Sequence, residues 1–135
     1  MSEKESAHLI RWAMGGVLYG LLEILWRGHT HWTMMLLAAI LCIPLDIANE
    51  HIPWEFPLWL QAVLGGTAIT AAELAVGCVV NQALGWQVWD YSREFGNVLG
   101  QICPLFSFYW FLLCLPVFGL LRLAARWKAK GASEV

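Results

Sequence analysis

The chain has 135 residues, 59% of them hydrophobic and 13% charged, with a formal net charge of −2. Soluble domains carry about 45–50% apolar and about 25% charged residues, so an ordinary soluble domain is excluded, and without a basic balance nucleic acid is not an expected partner. The length fits a single transmembrane domain over 1–135 rather than two domains.

A bilayer crossing takes roughly 20 apolar residues per helix. Four such segments follow in chain order, at about 8–26, 32–48, 56–84 and 98–127. The predicted fold is therefore an all-α integral membrane protein with four transmembrane helices.

In the first segment Tyr19, Glu23 and Arg27 step by four residues and share one helix face. Glu23 four residues before Arg27 is the favourable order for an ion pair, which can be structural or part of a site. His29 and His31 follow as an H-x-H, weak candidates for a metal because no third ligand has a diagnostic spacing. No metal or other cofactor is expected. The second segment is the shortest and carries Pro44 near its end. Asp46, Asn49, Glu50 and His51, with Glu55 close by, form a polar cluster that reads as a solvated loop, with a cytoplasmic docking loop or one end of a pathway as the alternatives.

The third segment places Glu73, Gly77 and Asn81 at four-residue steps. An ionisable residue within a membrane span is costly and is by default a functional-site hypothesis. The loop that follows holds Trp86, Trp89, Asp90, Tyr91, Ser92, Arg93 and Asn97, and Gln101 opens the fourth segment. Aromatics around a carboxylate can cage a cationic ligand; an interfacial aromatic belt is the plainer alternative. The fourth segment carries Pro104 and Pro116, and a re-entrant or broken piece is expected before Pro104. Trp110 is the tryptophan set deep in a span. The tail Arg122, Arg126, Lys128 and Lys130 fits a membrane boundary in contact with anionic lipid.

Gly15-Gly16 leads to Glu23 and Gly65-Gly66 leads to Glu73, both as G-G-x6-E with an offset of 50 residues. Such a repeat predicts two parallel-repeat helical hairpins; small-residue packing seams are the competing explanation. Lys4, Arg11, Arg122, Arg126, Lys128 and Lys130 fall on the side of the termini, and Arg27 and Arg93 on the other. Positive residues concentrate on the cytoplasmic side, so both termini are expected there, in the inner membrane. Cys42, Cys78, Cys103 and Cys114 lack C-x2-C spacing and read as buried small apolar residues. There is no P-loop, no H-E-x-x-H and no G-x-S-x-G.

The stretch E-L-A-V-G-C-V-V-N-Q-A-L-G-W-Q-V-W-D-Y-S, from Glu73 to Ser92, joins G-Q-I-C-P-L-F-S-F-Y-W-F, from Gly100 to Phe111. With Y-G-L-L-E-I-L-W-R-G, from Tyr19 to Gly28, and Asn49-Glu50, these resemble the bacterial family called putative ABC-transporter type IV (CmpB-like). The resemblance implies a small integral membrane protein, a permease-type component. The positions that match its motifs are Glu23, Arg27, Glu73, Gly77, Asn81, Trp86, Trp89, Asp90, Tyr91, Gly100, Gln101, Cys103 and Trp110. An ABC mechanism would add a cytoplasmic ATPase partner, for which Asn49–Glu55 is the available loop.

The leading expectation is a transport or ligand-binding membrane protein whose polar site opens to the outer face. Its candidate ligand-binding residues are Glu23, Arg27, Glu73, Asn81, Trp86, Trp89, Asp90, Tyr91, Gln101 and Trp110. Membrane lipids, a small-molecule or ion ligand and further copies of the chain are the expected partners, since four short spans rarely enclose a full pathway. An intramembrane enzyme acting on a lipid or isoprenoid, with Glu23 and Glu73 as acid and base, is the alternative from another class. A non-catalytic membrane subunit is the third; enzymatic chemistry is the weaker expectation.

Overall fold

Helix α1, Glu3–Arg27, begins where a local cap permits it. Ser2 accepts from the Glu5 backbone N–H at 3.3 Å, and the Glu5 carboxylate accepts from the Ser2 N–H at 2.7 Å. This reciprocal box satisfies donors the first turn leaves over, so α1 starts five residues before the apolar run at His8. Gly28 ends it in the left-handed region at φ 79°, its N–H donating to the Ile24 carbonyl at 2.8 Å. Residues 1–134 are described, in a computed structural model.

Helix α2 is Trp32–His51, α3 is Leu58–Gly77, and α4 is Pro104–Ser133. A π turn, Cys78–Ala83, extends α3. All four helices are long and apolar enough to cross a membrane, so the chain is a multi-pass all-α membrane protein. Two boundaries differ from the sequence reading. The segment before Pro104 is not a broken helix: Val98 and Ile102 pair as an isolated bridge, and Cys103 is extended at φ −151°. Pro104 then supplies the preset φ of a first helical residue. Likewise, Asn49, Glu50 and His51 are not loop; α2 carries Pro44 internally and continues through them.

The chain divides into two compact units, Met1–Ala48 and Asn49–Val135. In the first, α1 and α2 approach through glycines. A Cβ on Gly16 would lie 2.6 Å from the Met35 carbonyl oxygen and 2.9 Å from the Ala39 Cβ. One on Gly15 would strike the Cys42 sulfur. In the second, Gly65 seats Phe118 and Cys114 of α4, and Gly66 lies against the Phe111 backbone. Ala62, Ile69, Cys114 and Phe118 are buried at this seam. Each Gly-Gly pair therefore does the same work in its own hairpin. Close backbone approach is how helices associate in lipid, where the hydrophobic effect supplies no drive between them.

Candidate functional site

Glu73 sits two turns beyond the Gly65-Gly66 seam and is 2% exposed. Its two oxygens are addressed from different segments. The Tyr91 hydroxyl donates to Oε1 at 2.9 Å, and the Trp110 indole N–H donates to Oε2 at 2.7 Å. Trp110 comes from α4 and Tyr91 from the loop between the π turn and α4. The loop is held where Tyr91 leaves it: the Tyr91 N–H donates to the Gly100 carbonyl at 2.8 Å. The Tyr91 ring stacks on Phe106 with centroids 4.5 Å apart and planes 10° from parallel.

One turn further along α3, Gly77 leaves room that other residues fill. A Cβ there would meet the Gln101 side chain and the Trp89 ring. Trp89 donates its indole N–H to the Gln101 carbonyl at 3.0 Å. The Gln101 side chain accepts from Asn81 at 2.8 Å and donates to the Leu99 carbonyl at 3.0 Å. Asn81, on the π turn, also accepts from the Val88 N–H at 2.7 Å. Glu73, Gly77 and Asn81 thus mark one track, lined in order by Tyr91 with Trp110, then Trp89 with Gln101. π turns are rare and often lie at functional sites.

Backbone strain concentrates in the same loop. Gln87 (φ 50°) and Leu99 (φ 55°) are non-glycine residues in the left-handed region. Such positions cost on the order of 1–3 kcal/mol each and persist where the surroundings enforce them. At Leu99 the carbonyl accepts from both Gln82 and Gln101, each at 3.0 Å. Gly100 (φ 70°) follows, and a Cβ there would come within 3.2 Å of the Asp90 carboxylate.

Two of the expected loop residues stand apart from this network. Asp90 is exposed, and its Oδ1 accepts from the Ser92 N–H at 2.9 Å. The hydrogen bonds from Ser92, backbone and then side chain, hold its carboxyl below the ordinary aspartate range, with a further contribution from Arg93. Asp90 therefore shapes its own turn. Trp86 is 49% exposed, and its backbone N–H donates to the Val80 carbonyl at 3.0 Å, closing the end of the π turn.

The first unit carries a separate constellation. Glu23 is 7% exposed; its Oε2 accepts from the Tyr19 hydroxyl at 2.5 Å and pairs with Arg27 at 3.1 Å. All three lie on the α1 face that their four-residue spacing predicts. Of the two candidate metal ligands, His29 is exposed, while His31 caps α2, its Nδ1 accepting from the Thr33 N–H at 3.3 Å and lying 2.6 Å from the Thr33 hydroxyl.

Two clusters escaped the sequence reading. Asp46 is 5% exposed, not solvated. Its Oδ2 lies 2.8 Å from His8 Nδ1 and 3.1 Å from Arg11, and it accepts from the Trp12 indole at 3.1 Å. The available signal was an acid in an apolar helix and a basic-aromatic trio, His8, Arg11 and Trp12, in another. In the second unit Gln61, 2% exposed, donates to Asn49 at 2.8 Å and accepts from Arg122 at 2.8 Å.

The family model described as "Putative ABC-transporter type IV" matches residues 10–130. It spans most of the chain, and the chain belongs to that family. No curated protein and no solved structure matches it.

Proposed function

We propose that this member of the putative ABC-transporter type IV family is a membrane-embedded transport component that recognises a small cationic or amine-bearing solute at the Glu73 carboxylate. The observation that supports this reading is the construction around Glu73. A carboxylate 2% exposed inside a membrane-spanning helix receives one aromatic donor per oxygen, from two other segments. Helix packing alone does not call for an acid there, because apolar residues of similar size pack without its desolvation cost. Both donors carry π faces, which attract a cation. Tyr91 is the partner carried by a loop, so a solute can take its place at Oε1 while Trp110 keeps Oε2 oriented. Asn81 and Gln101, one to two turns on, offer neutral hydrogen bonds along the same track.

In this reading the track opens to the outer face, both termini are cytoplasmic in the inner membrane, and the chain works as a homo-oligomer. The Lys and Arg distribution supports the orientation. ATP hydrolysis would belong to a separate subunit, since the sequence holds no P-loop.

The test is thermal stability of the purified protein in detergent against amines, divalent metals, anionic solutes and lipids. A ligand that binds the folded state stabilises it by about 2.7 kcal/mol at a hundred times its Kd. A concentration-dependent rise with an amine, absent in Glu73→Gln, supports the reading. No shift with any compound, and a Glu73→Gln variant that simply melts lower, assigns Glu73 to helix packing instead.

A further inference from the structure

At the opposite end of the second unit, α4 clamps the turn that precedes α3. Phe56 donates its N–H to the Pro53 carbonyl at 3.0 Å, closing a turn with Trp54 and Glu55 at its tip. Arg122 fastens this turn from α4. Its Nη1 donates to the Phe56 carbonyl at 2.7 Å and its Nε to Gln61 at 2.8 Å. Gln61 reaches on to Asn49, so both flanks of the turn are fixed.

One helical turn beyond Arg122, the guanidinium of Arg126 lies 4.4 Å from the centre of the Trp54 ring. Trp54 is 48% exposed, and Arg126 is exposed as well. Among the described residues Arg126 makes no hydrogen bond or ion pair, and neither does Glu55 beside Trp54. The guanidinium is thus stacked on one face and preorganised, with its fork of N–H donors open. That planar fork matches phosphate oxygens two at a time. Arg122, Arg126 and Lys130 step by four residues and share one face of α4.

The surroundings select the source of the phosphate. The exposed Leu120, Leu123 and Trp127 flank the site on α4, itself long and apolar enough to span a membrane. A cation at such a rim, stacked on one exposed tryptophan and next to another, meets lipid headgroups above acyl chains. We infer that Arg126, stacked on Trp54, binds the phosphodiester of an anionic phospholipid at this end of α4. Arg122 acts as a positioning residue that holds the Trp54 turn in place. This inference is independent of the Glu73 reading.

The experiment is a titration of the purified protein in neutral detergent with short-chain phosphatidylglycerol, phosphatidylcholine or inorganic phosphate, read by thermal shift. Phosphatidylglycerol, whose headgroup is net anionic, is expected to stabilise the protein; phosphatidylcholine, whose choline cation offsets the phosphate charge, and inorganic phosphate, which has no acyl chains, are not. A Lys or Arg near a membrane surface contributes about fivefold in affinity, so Arg126→Gln weakens phosphatidylglycerol by about fivefold or more. Arg126→Lys does not restore it, because an ammonium cannot stack or fork. Trp54→Leu weakens it comparably, and carries the test should Arg126→Gln melt lower without lipid. Lys128→Gln, off the shared face, leaves it nearly unchanged. The inference is overturned if Lys128→Gln costs as much as Arg126→Gln or if Arg126→Lys binds like wild type, since either marks diffuse attraction. It is equally overturned if inorganic phosphate binds as well as the lipid, which marks a soluble-anion site, or if phosphatidylglycerol and phosphatidylcholine act alike.

Discussion

Trp110 donates its indole N–H to the Oε2 of Glu73 at 2.7 Å, and so links α4 to α3 through a carboxylate that Tyr91 engages at its other oxygen. The bond removes a donor and an acceptor from lipid together. Trp110→Phe keeps an aromatic ring but withdraws the donor from Oε2. Depriving a buried charged or polar group of a partner costs about 1–3 kcal/mol, and a corresponding fall in melting temperature is expected in detergent. Tyr91→Phe retains the stack on Phe106 and loses the hydroxyl. Because both act on one carboxylate, the double variant should depart from additivity by about 0.5–3 kcal/mol. Strict additivity in a thermal-melt cycle would show that the two donors act separately.

Gly16 and Gly20 share a helix face yet predict different responses to alanine. At Gly16 the new methyl meets the Met35 backbone oxygen at 2.6 Å, an atom that moves only with α2 itself. Overpacking of this kind costs about 1–3 kcal/mol, and Gly16→Ala should lower the melting temperature. At Gly20 the contacts, at 2.8–3.0 Å, are all to the Met35 side chain. Methionine has three rotatable bonds and adapts, and alanine regains up to about 1 kcal/mol of helix propensity over glycine. Gly20→Ala is therefore expected to be close to neutral. Equal loss in both variants would refute the distinction.

The helices were legible because a membrane span is a property of one segment, read from its own run of apolar residues. The Tyr19, Glu23 and Arg27 face was legible for the same reason, as helical spacing alone brings those residues together. The partners of Glu73 were partly legible. Tyr91 and Trp110 stood out as polar aromatics, but their pairing with one carboxylate depends on a loop path set by left-handed Gln87 and Leu99, which no periodicity encodes. Asp46 was misread as solvated because its burial comes from His8, Arg11 and Trp12, more than thirty residues away in sequence. The start of α4 at Pro104 was misplaced because the apolar run extends back through Val98, where hydropathy cannot tell a bridge from a helix.

Asp46 is the acceptor for a cluster of donors in the first unit, and its loss should be among the most damaging single changes there. Asp46→Ala leaves Arg11 as a cation without that counter-charge. Deleting one partner of a fully buried pair costs about 3–5 kcal/mol; Arg11 keeps part of its side chain in solvent, so a loss of about 3 kcal/mol or less is expected. Asp46→Asn keeps an oxygen for the Trp12 indole but loses the charge that faces Arg11 and His8, a weakening of about 1–3 kcal/mol. The expected order of melting temperatures is wild type, then Asn, then Ala. An Ala variant as stable as wild type would show that His8, Arg11 and Trp12 find other partners at no cost.

The loop acid Asp90 gives a prediction in pH. Its carboxyl is held below the ordinary value of 3.8, chiefly by hydrogen bonds from Ser92. A depressed folded-state value means that this contribution to the loop is fully present above the ordinary value. It fades as pH falls through the lower folded value. The Ser92 amide resonance in micelles should stay constant from neutral pH down to the ordinary aspartate range. It should then titrate with a midpoint beneath 3.8. Asp90→Asn retains an oxygen that can accept from the Ser92 N–H, as asparagine does in such turns, and should show the native position with no titration. Asp90→Ala should shift the resonance at every pH. A wild-type midpoint above the ordinary value would mean that the Ser92 bonds do not favour the ionised carboxylate, and that another contact sets this turn.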